Sequence, residues 1–96
     1  MNEIQTIQSI LSEIAGVFRN SDLASWAKTF QDFYVEIGVE PNAVTRKILS
    51  LYGGMGSFND IVIYRSGIAL KKENSYMDAL REQLFDLCQL YLSRNS

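Results

Sequence analysis

Apolar residues recur at helical spacing from the start of the chain. Ile4, Ile7, Leu11, Ile14 and Phe18 fall in steps of three and four, placing them on one stripe of a helix over about residues 3 to 18. Asn2 stands at the N-cap position, with Gln5 three residues later in a box-like arrangement. Asn20-Ser21-Asp22 supplies a break and the next N-cap. A second stripe follows in Leu23, Trp26, Ala27, Phe30, Phe33, Tyr34 and Ile37. Gly38 is expected to end that helix in a left-handed conformation, with Val39 folding back near Tyr34. The short linkage favours an antiparallel pair.

Pro41 opens a shorter third helix carrying Val44, Ile48, Leu51 and Tyr52. Gly53-Gly54-Met55-Gly56-Ser57 stops it, because each glycine costs close to ~1 kcal/mol in a helix relative to alanine. The period then changes. Ile61-Val62-Ile63-Tyr64 and Ile68-Ala69-Leu70-Lys71 flank Arg65-Ser66-Gly67, which reads as a β-hairpin with a bulged turn. Such a hairpin is marginal alone and must lie on the helices. Ser75 with Asp78 predicts a capping box opening a last helix to about residue 93, with Tyr76, Met77, Leu80, Leu84, Leu87, Cys88 and Tyr91 as its apolar positions. The expected fold is therefore α+β and predominantly helical: four helices with a small β-hairpin before the last. Trp26, Phe30, Phe33, Ile48, Leu51, Leu80, Leu84 and Leu87 are expected in the core.

With 96 residues, the chain accommodates one domain, 1–96, and one core. Apolar residues make up 47% and charged residues 21%, a globular composition. No run approaches the ~18 apolar residues of a membrane span, and the first residues lack the features of a signal peptide. Cys88 is the single cysteine, which excludes an intrachain disulfide and fits a reducing compartment. Its place in an apolar stripe marks it as core. These features suggest a cytoplasmic protein. The absence of histidine removes His-based triads and His metal sites. No catalytic residue, metal ligand or cofactor is expected.

The glycine segment Gly53, Gly54, Gly56, with Ser57, Asn59 and Asp60 beyond it, is the first candidate for chemistry. Phosphate loops hold anions with successive backbone N–H groups. Here the Lys-Ser/Thr that follows such loops is missing, so a tight turn is the plainer reading. Asn59 and Asp60 suit holding the loop's shape through backbone hydrogen bonds. An enzyme built on Asp60 and Ser57 lacks a general base.

Charge is segregated. Residues 1–45 carry −4, residues 46–72 carry +4 and residues 73–96 carry −2, for a total of −2. Asp78, Glu82 and Asp86 recur every four residues on one helix face, as do Asp32 and Glu36 on another. A solvated helix face is the ordinary explanation. The functional one is a docking surface for a basic protein, with acids steering the encounter. The basic middle segment, with Tyr52, Phe58 and Tyr64 interleaved, resembles a stacking surface for nucleic acid. Its acidic flanks oppose a polyanion, and nucleic-acid binding is not expected.

The run Leu51-Tyr52-Gly53-Gly54-Met55-Gly56-Ser57-Phe58-Asn59-Asp60-Ile61-Val62 resembles the signature of a family of small bacterial domains of unknown function. The resemblance extends over about residues 5 to 92. It implies two helices, a short third, the glycine motif, a hairpin and a last helix in a bacterial accessory protein. Size and acidity are similar to those of immunity proteins that neutralise a toxin, often a nuclease. The expectation is a non-catalytic immunity protein whose Asp32, Glu36, Asp78, Glu82 and Asp86 pair with the basic cleft of a toxin domain. The alternative is a small regulatory or structural binding protein using the glycine-rich loop and hairpin. Oligomeric state is open.

Overall fold

A computed structural model describes residues 2–53 and 57–95. Its elements are α1 (Glu3–Asn20), α2 (Ala24–Glu36), α3 (Pro41–Ser50), a 3-10 turn (Phe58–Asp60), β1 (Tyr64–Arg65), β2 (Ile68–Ala69) and α4 (Lys71–Asn95). The expected architecture of four helices with a hairpin before the last is therefore present. The capping box at α1 forms as its sequence demands: Asn2 Oδ1 accepts from the Gln5 amide at 2.8 Å, and Gln5 Oε1 accepts from the Asn2 amide at 3.1 Å. Pro41 begins α3, where its missing N–H is not needed.

Helix α1 packs on both α2 and α4, while α3 joins α4. The core fills from all four helices: Ile7, Leu11, Ile14 and Phe18 of α1, Phe30 of α2, Ile48 of α3, and Met77, Leu84 and Cys88 of α4 are all fully buried. Phe33 and Leu80 are buried too, while Trp26, Leu51 and Leu87 are half-buried against the cluster. Phe58 sits at the centre of an aromatic group, its ring 4.7 Å from Phe30, 5.3 Å from Tyr52 and 6.1 Å from both Phe18 and Trp26. The residue that follows the glycine run is thus a core anchor, fully buried and closed to stacking with a nucleic acid.

Local expectations fail where tertiary contacts outweigh local signals. Asp22 does not cap α2: it takes a positive φ of 59°, and Leu23 occupies the N-cap without a side-chain hydrogen bond. Gly38 is not left-handed, and Val39 is 80% exposed rather than folded onto Tyr34. The hairpin turn has two residues, not three: Ser66 and Gly67 have φ of 53° and 79° and join Arg65 to Ile68 without a bulge. Two successive positive-φ residues match the twist of the flanking strands.

The largest difference lies at α4, which starts at Lys71 and places Ser75 in its second turn, so the expected capping box is absent. Lys71-Lys72-Glu73-Asn74 contains no breaker, and Asn74 has a stronger use inside the helix. Its Nδ2 donates to the carbonyls of Ile63 at 3.0 Å and Leu70 at 2.8 Å, and its Oδ1 accepts from the Ile63 amide at 2.8 Å. One amide side chain thus closes the hairpin base onto α4 and satisfies the Ile63 N–H, while the Ile63 carbonyl also accepts from the Leu70 amide at 3.0 Å.

Candidate functional site

Arg81 is the least expected residue of the structure. It falls on the buried side of α4, between Met77 and Leu84, and is only 5% exposed. Its Nη2 donates to the Ile61 carbonyl at 2.6 Å, its Nη1 pairs with Asp78 at 3.0 Å, and its guanidinium carbon lies 5.1 Å from the Phe58 ring centre. Burying a guanidinium is costly unless it is paired and hydrogen-bonded. The carbonyl, the carboxylate and the ring face supply those partners, although Nε is buried without a hydrogen-bond partner among the described residues. Tyr52 completes the junction by donating its hydroxyl to the Arg81 carbonyl at 2.8 Å. Burial pushes the Tyr52 phenol well above its ordinary range, and Asp86 adds to the shift.

An open cleft of about 420 Å³ lies over this junction, lined by Tyr52, Asn59, Asp78, Arg81, Glu82 and Phe85. The Tyr52 and Phe85 rings stand 5.0 Å apart at 60°. Two sets of residues marked in the sequence meet here: Asn59 from the glycine segment, and Asp78 and Glu82 from the acidic row of α4. Asp86 continues the row one turn further and is exposed. Glu82, Asp86 and Asn59 have no ion-pair or hydrogen-bond partner among the described residues.

Asp32 and Glu36 are not brought to this cleft. Both are exposed on α2, and Asp32 is paired with Lys28 at 2.8 Å. Its carboxylate, through the hydrogen bond and the attraction between the charges, raises the Lys28 pKa. The acids of α2 and α4 thus belong to helices that pack on α1 rather than principally on each other. In the glycine segment, Gly53 is exposed and does not take a positive φ. Gly54 and Gly56 lie outside the described residues. Ser57 Oγ is buried without a hydrogen-bond partner among the described residues, and Asp60, three positions on, is exposed.

Cys88 behaves as core: burial pushes its thiol up to about 12. Sequence reasoning missed Arg81 and the ring pair of Tyr52 and Phe85. The available signal was a charged residue four positions after Met77 and three before Leu84, within the apolar stripe of α4.

No helix among the described residues is long and apolar enough to cross a membrane. No curated protein and no solved structure matches the chain. Residues 19–71 match the model of a domain of unknown function, DUF6966. That stretch runs from the end of α1 to the first residue of α4 and contains the glycine segment, Tyr52, Asn59 and the hairpin. It is narrower than the resemblance seen in the sequence, which took in most of α1 and α4. Covering more than half of the chain, the match makes this protein a member of the DUF6966 family.

Proposed function

We propose that the protein is a non-catalytic binding protein whose acidic α4 face docks a basic protein partner, most concretely a bacterial immunity protein that covers the substrate cleft of a toxin domain, such as a nuclease, in the cytoplasm. One observation carries this reading: Asp78, Glu82 and Asp86 stand exposed in a row along α4, beside a cleft with aromatic walls. Exposed carboxylates on a rigid helix steer a cationic partner at long range, and aromatic anchors supply the short-range energy. Asp32 and Glu36 contribute to the general field from a separate surface.

The test is co-expression with the toxin domain encoded in a neighbouring reading frame, followed by stopped-flow association. The chain protects the cell, and the Glu82→Lys, Asp86→Lys double variant associates about tenfold more slowly with a weaker salt dependence. An unchanged rate removes the α4 face.

The second reading uses the hairpin, because its Tyr64 is 54% and its Ile68 69% exposed. Loss of binding in Tyr64→Ser, Ile68→Ser but not in the charge-reversal variant favours it.

A further inference from the structure

We propose that the cleft between Tyr52, Asn59 and α4 is a receptor for a single arginine side chain presented by the basic partner; this rests on the reading of the α4 face as a docking surface. The cleft's charge balance favours a cation. Asp78 and Glu82 supply two carboxylates against the one guanidinium of Arg81. Arg81 lines the cleft but is itself buried and engaged, its Nη2 bonded to the Ile61 carbonyl and its Nη1 to Asp78.

The acceptors left over suit a guanidinium. Glu82 offers a complete carboxylate, Asp78 its second oxygen, and Asn59 its amide oxygen, none engaged by another described residue. Arginine presents five N–H donors in a planar fork that engages a carboxylate with two bonds and stacks on an aromatic face. Tyr52 and Phe85 supply the rings, and the hydroxyl bond from Tyr52 to the Arg81 carbonyl fixes one of them to α4. The same pairing already exists inside the protein, where Arg81 lies over Phe58. A lysine ammonium would gain from the charge but not from the planar fork, so arginine is preferred.

The test uses the full chain and three blocked tripeptides, Gly-Arg-Gly, Gly-Lys-Gly and the neutral isostere Gly-citrulline-Gly, titrated by NMR. The arginine peptide shifts the Asn59 side-chain amide and the Phe85 ring saturably. The lysine peptide binds more weakly, and the citrulline peptide at least about tenfold more weakly, as expected for the loss of a hydrogen bond to a charged group. Glu82→Gln, at an exposed position, keeps its melting temperature and loses about tenfold in arginine affinity. Equal binding of arginine and citrulline, or unchanged affinity in Glu82→Gln, overturns the assignment. A peptide titration without response, alongside slowed partner association in Asp86→Lys, overturns the arginine receptor and leaves the docking face standing. No response in either experiment removes both.

Discussion

At the scale of the residue, Arg81 and Asp78 form one ion pair with unequal ends. The Arg81 side chain is 6% exposed and that of Asp78 73%. Water already solvates Asp78, so its pairing adds little, whereas Arg81 is held by a part-buried carbonyl and a buried ring as well. Arg81→Met keeps much of the stem's packing but leaves the Ile61 carbonyl without its donor, and is expected to destabilise by about 2 kcal/mol. Asp78→Asn is expected to cost less than about 1 kcal/mol. Urea unfolding of both variants measures the difference. Equal losses would mean that the salt bridge, rather than the Ile61 carbonyl and the Phe58 ring, is what holds Arg81. The sequence contained a hint of this residue in its stripe position, but Ile61 lies 20 positions away and Phe58 lies further back, on the other side of the hairpin. Helical periodicity does not pair such positions.

At the scale of the element, the hairpin is held by a side chain from the following helix. Its strands are only two residues each, and both are exposed. A ribbon this short is not stable by itself. Asn74 ties the hairpin base to α4 by bonding both polar groups of the Ile63 backbone, of which the carbonyl also accepts from the Leu70 amide. Asn74→Ala is expected to lower stability by about 2 kcal/mol, leaving the part-buried Ile63 N–H unpaired, and to speed hydrogen exchange at Ile63. Ser75→Ala is the matched control: Ser75 lies inside α4 and caps nothing, so the change should stay within about 0.5 kcal/mol. A loss of about 1 kcal/mol in Ser75→Ala would restore the capping box that the sequence suggested. The sequence signal at Ser75 was genuine as a local pattern. It lost to Asn74 because the hairpin needs an amide at that point, and a helix started earlier provides one.

At the scale of the whole molecule, burial of Cys88 and Tyr52 ties stability to alkaline pH. The Cys88 thiol is raised from 9.0 to about 12, and the Tyr52 phenol is raised from 10.0, both mainly by burial. Well below pH 9 both groups are neutral in both states and their contribution to stability is fully present. Above it the unfolded chain ionises first, so stability falls as pH rises from about 9 towards 12. Thermal melts across that range should show a steady loss in the parent, and a shallower one in Cys88→Ala. The helical stripes, the α1 capping box, the proline start of α3 and the position of the hairpin were determined by the sequence alone, because each depends on neighbours within about four residues. Tertiary structure decided the burial of Arg81 and Phe58, the start of α4, and the meeting of Asn59 with Asp78 and Glu82 in one cleft. Those features depend on which distant backbone groups need a partner once the core closes, and local periodicity does not encode that.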